Sequence, residues 1–188
     1  MKKITLFSFG VVVVCALSSM IFAQKSSVEE KSVSATNLEK TTVAKQFEGK
    51  TEVATDGIYA PGEVKPNAKY YLILSSASRC APCRAEMPSI VKEYEKISKN
   101  PDLELILVSD DHNKSAAEKW AKETQISFPT VLPGKGVDIK VLKLRTNKGI
   151  PSLMIVDAEG KVVAEHHPGI LMKKYEQTIK EYQDKKDQ

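Results

Sequence analysis

The chain has 188 residues, of which 41% are hydrophobic, and it carries 28 basic and 24 acidic side chains for a formal net charge of +4. This length and composition suffice for one domain of ordinary size with a hydrophobic core, plus an extension. The charges are nearly balanced and form no dense basic face with interleaved aromatic residues, so we expect no nucleic-acid partner.

The N-terminus has the pattern of a secretion signal. Two lysines are followed by an apolar run over residues 4–16 and by a short segment that ends in the small residue Ala23. Basic, apolar and small residues in this order are typical of a signal peptide. We therefore expect a signal peptide over residues 1–23, which is cleaved after Ala23.

Two other interpretations fit the same segment. Residues 4–23 are long enough to cross a bilayer as an uncleaved membrane anchor. Cys15 is a candidate for lipidation, although the valines before it lack the small residue that usually precedes a lipidated cysteine. Each interpretation places the rest of the chain outside the cytoplasm, either periplasmic or secreted, and two of them add a membrane tether.

Cleavage after residue 23 would leave Cys80 and Cys83 as the only thiols of the mature chain. A structural disulfide framework normally uses more cysteines, spaced further apart. Two cysteines three positions apart therefore indicate a reactive site and not a scaffold.

Residues 24–46 are rich in Ser, Thr, Lys and Glu and contain few large apolar side chains. Such a composition buries too little apolar surface to offset the entropy lost on ordering the chain. We expect a flexible linker over residues 24–46 and a folded domain over residues 47–188.

The first part of this domain alternates strands with helices. Residues 51–59 predict a short strand, and the apolar run over residues 70–74 predicts a buried one. The cysteine pair follows, before a segment whose apolar side chains over residues 87–97 recur at the three- and four-residue steps of a helix. Residues 103–108 predict the next strand. The cysteines therefore lie at a strand-to-helix junction.

The second part of the domain ends in a hairpin and a helix. Ser115 and Glu118 form a capping-box pattern at the start of a further helix. Apolar runs over residues 153–156 and 162–164 flank a polar turn and predict a hairpin, and the spacing over residues 171–182 predicts a closing helix. This order of elements implies an α/β fold with a central mixed β-sheet and helices on both faces.

The Cys80-Ala81-Pro82-Cys83 motif supplies the two thiols that disulfide exchange needs, one to attack a substrate disulfide and one to resolve the mixed disulfide. At a helix N-terminus, unpaired N–H groups and the helix dipole stabilise a thiolate and lower the pKa of the thiol. We therefore predict Cys80 as the nucleophile and Cys83 as the resolving thiol. Arg79 adds positive charge that would lower the pKa of Cys80 further.

The same cysteine spacing fits other kinds of site. A zinc site would need two further ligands, and the three histidines His112, His166 and His167 lack finger-like spacing to the cysteines. Covalent haem attachment requires a histidine directly after the second cysteine, where this chain has Arg84. We expect no metal and no other cofactor. An inert disulfide in a secreted binding module is the alternative from another functional class.

Together these motifs resemble the thioredoxin-like superfamily. The resemblance is carried by residues 76–88 around the cysteines, by residues 149–153 and by the turn at residues 157–161. The resemblance extends over residues 47–183. Within the superfamily, the sequence is most similar to the TlpA/ResA-like extracytoplasmic thiol reductases and to the tryparedoxin or nucleoredoxin-like group. The resemblance implies a thioredoxin fold.

The resemblance also implies roles for individual residues. In this family the proline of the Ile-Pro segment is cis and faces the cysteine pair, which implies both for Pro151. The residue before it, Ile150, would pair with the substrate backbone. Glu86 matches a glutamate implicated in thiol acid-base behaviour and is our candidate to carry a proton. The expected substrate-binding residues are Arg79, Ala81, Pro82, Ile150 and Pro151.

Two positions depart from the family pattern. The residue before the first cysteine is usually Trp, and here it is Arg79. The acidic residue that thioredoxins proper carry on the strand before the active site would fall at Leu74. We therefore expect Glu86 to be the residue that handles protons.

The sequence thus predicts an extracytoplasmic thiol-disulfide oxidoreductase that uses Cys80 and Cys83, with protein thiols or disulfides as substrates and with a redox partner protein. The resemblance favours a reductase over an oxidant. A disulfide isomerase and the secreted binding module with an inert disulfide are the alternatives.

Overall fold

The computed structural model describes residues 41–135, 137 and 149–188. The predicted signal peptide and residues 24–40 of the predicted linker lie outside these described residues. No helix within the described ranges is both long enough and apolar enough to cross a membrane.

The described residues form seven strands and five helices. The strands are β1 Thr51–Thr55, β2 Ile58–Pro61, β3 Tyr70–Ser76, β4 Leu103–Ser109, β5 Thr130–Val131, β6 Ser152–Asp157 and β7 Val162–His166. The helices are α1 Thr42–Phe47, α2 Ala81–Ile97, α3 Lys114–Thr124, α4 Pro168–Leu171 and α5 Tyr175–Lys186. This succession confirms the predicted α/β class.

All seven strands join one mixed sheet in the order β2-β1-β5-β4-β3-β6-β7. β3 pairs in parallel with β4 and antiparallel with β6, so it lies inside the sheet. Six of its seven residues are buried, which explains its nearly continuous apolar sequence, because a strand covered on both faces has no solvent side. The carboxyl end of β3 leads directly to the cysteine motif.

Successive residues of β3 face two different halves of the core. Leu72 and Leu74 belong to the cluster that α2, α3 and α5 form on one face of the sheet, whereas Tyr71 and Ile73 belong to the cluster beneath α1. This alternation follows from the period of two in a strand. Helices therefore cover both faces of the sheet, as predicted.

Helix α1 shows that the predicted linker extends too far. Thr41 caps this helix through a hydrogen bond that its Oγ1 accepts from the Ala44 N–H at 3.2 Å, and Val43, Ala44 and Phe47 are buried. Averaged over residues 24–46, the composition is polar, but a few apolar side chains on one turn of helix are enough to dock against the sheet. The linker prediction is wrong for residues 42–46, which belong to α1.

Two further boundaries differ from the sequence-based prediction. The short strand predicted within residues 51–59 is β1, which ends before Asp56 and Gly57; both of these residues have positive φ and make a two-residue hairpin turn between β1 and β2. Helix α3 is capped by Asn113, whose Oδ1 accepts from the Ala116 N–H at 2.9 Å, and the predicted cap Ser115 lies inside the helix. Asn and Ser are equally good N-cap residues, so the sequence pattern could not distinguish Asn113 from Ser115.

Asp157 ties the β6–β7 hairpin to the closing helix α5. Its Oδ1 accepts from the Lys161 N–H at 2.8 Å and its Oδ2 accepts from the Tyr182 hydroxyl at 2.8 Å. Burial by itself raises the pKa of this carboxyl group, but these hydrogen bonds and the nearby Lys186 outweigh burial and hold the pKa of Asp157 below its ordinary value.

We expect an Asp157→Asn variant to be less stable than the wild type at neutral pH and equally stable in strong acid. Because the folded-state pKa is depressed, the ionised carboxylate stabilises the fold above the ordinary pKa of 3.8, and this contribution is lost as the pH falls through the folded value. Urea unfolding of both proteins across the acidic range measures the difference. A difference that did not change with pH would contradict this assignment.

Candidate active site

The cysteine motif lies where β3 passes into α2. Cys80 is the N-cap of this 17-residue helix, and its Sγ accepts a hydrogen bond from the Cys83 N–H at 3.3 Å. Cys80 is partly exposed, whereas Cys83 is only 1% exposed. The sulfur that a substrate can reach is therefore the one beside the positive end of the helix dipole, where a thiolate is stabilised.

The two cysteines are joined by a disulfide, with 5.2 Å between their Cα atoms. The structure is thus that of the oxidised protein. Ala81 and Pro82, between the cysteines, are both exposed and leave the outer surface of the motif open to a partner. Pro82 lies in the first turn of α2, where its missing N–H deprives the helix of no hydrogen bond.

Pro151 and Ile150 meet the cysteine pair from the other side of the site. The Ile150–Pro151 peptide bond is cis, and the carbonyl oxygen of Ile150 lies 3.7 Å from the Sγ of Cys80. Pro151 is buried and Ile150 is half-buried. These positions agree with what the family resemblance implied, whereas the spacing of residues alone indicated neither the cis bond nor the contact.

Arg79 is paired with Asp110 at the end of β4. Its Nη2 lies 2.8 Å from the Asp110 Oδ2, and its Nη1 donates to the Asp110 carbonyl oxygen. Arg84 likewise has a partner in Glu123, at 3.4 Å. The sequence predicted that Arg79 adds positive charge beside Cys80, but the structure gives each of the two arginines an acidic partner, which reduces the positive charge available to a thiolate.

Glu86 lies on α2, three positions after Cys83, and is half-buried. Its carboxylate fills the space beside Gly169 of α4: a Cβ built on that glycine would stand 2.5 Å from the Glu86 Oε1. Within the described ranges no hydrogen bond joins this carboxylate to either cysteine. A side chain at position 169 would therefore displace the Glu86 carboxylate from its present place beside α4.

Asp111, a buried carboxylate next to the cysteine motif, is not among the candidate residues that the sequence predicted. It accepts hydrogen bonds from Ser78, two residues before Cys80, and from Ser109 at the end of β4. One signal in the sequence points to this residue. Polar residues follow the apolar runs of both β3 and β4, and the carboxyl ends of two parallel neighbouring strands lie at the same edge of the sheet.

In the part of the chain that the structure describes, no group of three or more His, Cys, Asp or Glu side chains could hold a metal ion.

A mixed sheet covered by helices on both faces, with a disulfide at the start of a helix and a cis-proline beside it, defines a thioredoxin-fold redox protein. The chain belongs to the AhpC/TSA family, whose model matches residues 33–165. A thioredoxin from Wuchereria bancrofti shares this fold, with a TM-score of 0.54 and 22% identity over 72% of this chain and 96% of that one.

The chain is also similar in sequence to two known proteins. The thiol-disulfide oxidoreductase ResA of Bacillus subtilis (strain 168) is 30% identical over 84 residues, which cover 45% of this chain and 45% of ResA. The probable nucleoredoxin 1 of Arabidopsis thaliana is 29% identical over 97 residues, or 51% of this chain and 16% of that protein. The chain thus spans less than half the length of either relative. These similarities confirm the predicted class, a thioredoxin-like protein related to thiol-disulfide oxidoreductases.

Proposed function

We propose that the protein is an extracytoplasmic thiol-disulfide oxidoreductase that exchanges disulfides with protein substrates through Cys80 and Cys83. The observation that carries the proposal is the disulfide at the N-terminus of α2, with Cys80 partly exposed and Cys83 buried. An attacking thiol must be reachable by the substrate, while a resolving thiol needs to reach only its neighbour.

In the reductase direction the reaction begins with the reduced dithiol. The Cys80 thiolate attacks one sulfur of a substrate disulfide, so that a mixed disulfide forms and the other substrate sulfur leaves as a thiolate and takes up a proton. Cys83 then loses its proton and attacks the Cys80 sulfur. The Cys80–Cys83 disulfide forms and the second substrate thiol is released, so two electrons have passed to the substrate. A redox partner protein with its own dithiol restores the reduced form.

The proposed substrate contacts surround the exposed sulfur. Ala81 and Pro82 are exposed beside Cys80, and the Ile150 carbonyl oxygen lies 3.7 Å from its Sγ, where it can accept a hydrogen bond from a substrate backbone N–H. Pro151 supports that backbone, and the exposed Arg79 offers a charged edge. Glu86 is the proposed proton carrier for the resolving thiol and would act through water or a change of side-chain rotamer.

The reductase direction and the extracytoplasmic location rest on the sequence. The resemblance to ResA-like reductases supports the direction, and the basic and apolar pattern of residues 1–23 supports export, either with cleavage or with retention as a membrane tether.

Insulin reduction by dithiothreitol tests the activity. We expect the wild type to accelerate the appearance of turbidity and a Cys80→Ser/Cys83→Ser double variant to match dithiothreitol alone. Equal rates for the two proteins would contradict the proposal and favour a binding module with an inert disulfide.

A further inference from the structure

Asp111 is a buried acidic residue that the exchange steps do not use. It is 7% exposed, and both of its carboxylate oxygens accept hydrogen bonds. Oδ1 accepts from the Ser78 backbone N–H at 2.9 Å and from the Ser78 hydroxyl at 2.6 Å, and Oδ2 accepts from the Ser109 hydroxyl at 2.9 Å. A buried carboxylate is tolerated when its oxygens are satisfied in this way.

The contact with Ser78 reaches the turn that leads to the nucleophile. The Cys80 N–H donates to the Ala77 carbonyl oxygen at 3.2 Å, which closes a four-residue turn with Ser78 in a central position. Two polar groups of Ser78 end on Asp111, and Asp111 is held in turn by Ser109 at the end of β4. The Asp111 side chain therefore links the turn over residues 77–80 to the end of β4.

We propose that Asp111 is a positioning residue for disulfide exchange: through Ser78 it fixes the turn over residues 77–80 and so holds the Cys80 sulfur at the N-terminus of α2. This inference rests on the exchange activity proposed above. Exchange needs the attacking sulfur in line with the substrate disulfide, and a thiolate that leaves the N-terminal N–H groups loses their stabilisation.

The neighbouring ion pair does not provide the same restraint. Arg79 and Asp110 also join this turn to the end of β4, but their side chains are 42% and 43% exposed. Exposed ion pairs contribute little, because water competes for both partners. The buried carboxylate of Asp111, with three hydrogen bonds, is the stronger link.

Glu104 offers a matched control at the opposite end of β4. It is a buried carboxylate, 2% exposed, that accepts from the backbone N–H groups of Lys65 and Leu105. β4 runs parallel to β3, so its second residue lies at the sheet edge away from the cysteines. Replacing Glu104 removes a buried carboxylate from β4 without touching the turn before Cys80.

The test compares Asp111→Ala, Asp111→Asn and Glu104→Ala in the full chain. We expect kcat/KM for insulin reduction to fall by about tenfold or more in Asp111→Ala, because misplacing a reacting atom slows the reaction that strongly. Asp111→Asn should restore most of this loss, because its Oδ1 still accepts from Ser78 and its amide can donate to the Ser109 hydroxyl. Glu104→Ala should lower stability but leave kcat/KM unchanged.

A second readout separates positioning from stability. The pH at which the Cys80 thiolate forms, followed by its ultraviolet absorbance, should be higher in Asp111→Ala than in Asp111→Asn, because both variants remove the same negative charge and only the alanine releases Ser78. It should stay at the wild-type value in Glu104→Ala. If Asp111→Ala matched Asp111→Asn in both rate and thiolate titration, or if Glu104→Ala lost as much rate, Asp111 would be a structural residue only and the inference would be overturned.

Should Asp111→Ala fail to fold, Ser78→Ala removes the hydroxyl bond, keeps the backbone bond and should shift rate and titration in the same direction by a smaller amount. If the wild type itself did not reduce insulin, the proposed function would fail, whereas the thiolate titration would still decide whether Asp111 positions Cys80.

Discussion

A Cys83→Ser variant is expected to accumulate mixed disulfides with its protein substrates through Cys80 and to lose at least about a hundredfold in turnover, because resolution by a held neighbouring thiol is far faster than by a thiol from solution. The positions of the two cysteines fit these roles of nucleophile and resolving thiol. Cys80 is partly exposed, whereas Cys83 is 1% exposed and lies in the first turn of α2. The adducts are measured by non-reducing electrophoresis and mass spectrometry of proteins captured on the variant.

The matched control is Cys80→Ser, which keeps the buried thiol and removes the exposed one. We expect this variant to form no adducts, because the remaining sulfur is covered by protein. Adducts that formed equally with both variants would contradict the division into a nucleophile and a resolving thiol, and adducts with Cys80→Ser alone would reverse it. Absence of dithiothreitol-sensitive adducts in Cys83→Ser would count against disulfide exchange with proteins.

A Trp120→Ala variant is expected to lower the free energy of unfolding by about 3–5 kcal/mol, because the removed ring leaves a cavity that the core only partly closes. Trp120 heads the fully buried side chains of the described residues by volume and is 1% exposed. It projects from α3 into the core cluster that also contains Met87 of α2 and Phe128. Urea unfolding of the oxidised protein measures the loss.

Trp120→Phe is the informative comparison. In the part of the chain that the structure describes, the Nε1 of Trp120 is buried and has no hydrogen-bond partner. A buried N–H without an acceptor destabilises the fold, so removing it offsets part of the lost ring volume, and we expect a loss of only about 1 kcal/mol. Equal losses in the two variants would show that a phenyl ring at this position stabilises the fold no more than the methyl group of alanine does, which would contradict the packing argument.

The strand-to-helix junction was readable from the sequence because its signals are local. These signals are the apolar run of β3, the three- and four-residue spacing on α2 and the two cysteines at the helix start. All of them lie in β3, in α2 or in the short segment that joins the two. Leu74 illustrates the same point: an apolar residue inside a continuous apolar run predicts burial on a covered strand, and Leu74 is fully buried.

Other parts of the site depend on residues that are distant in the chain. Cys80 and the Ile150 carbonyl are 70 positions apart, and Ser78 and Asp111 are 33 positions apart. The contact at Ile150 was available only through the resemblance of the Gly-Ile-Pro-Ser segment to a family. The pairing of Arg79 with Asp110, which alters the charge beside the thiol, was not available at all.

The sequence by itself thus determined the redox pair, its place at a helix N-terminus and the class of fold, because periodicity and capping are set by neighbouring residues. Only the tertiary structure decided which residues surround the pair. The parallel pairing of β3 with β4 aligns Ser76 with Ser109 and so brings Asp111 to Ser78, and the antiparallel pairing of β3 with β6 brings Pro151 to the cysteines. Strand register determines these contacts, and register is a property of the whole sheet and not of any one segment.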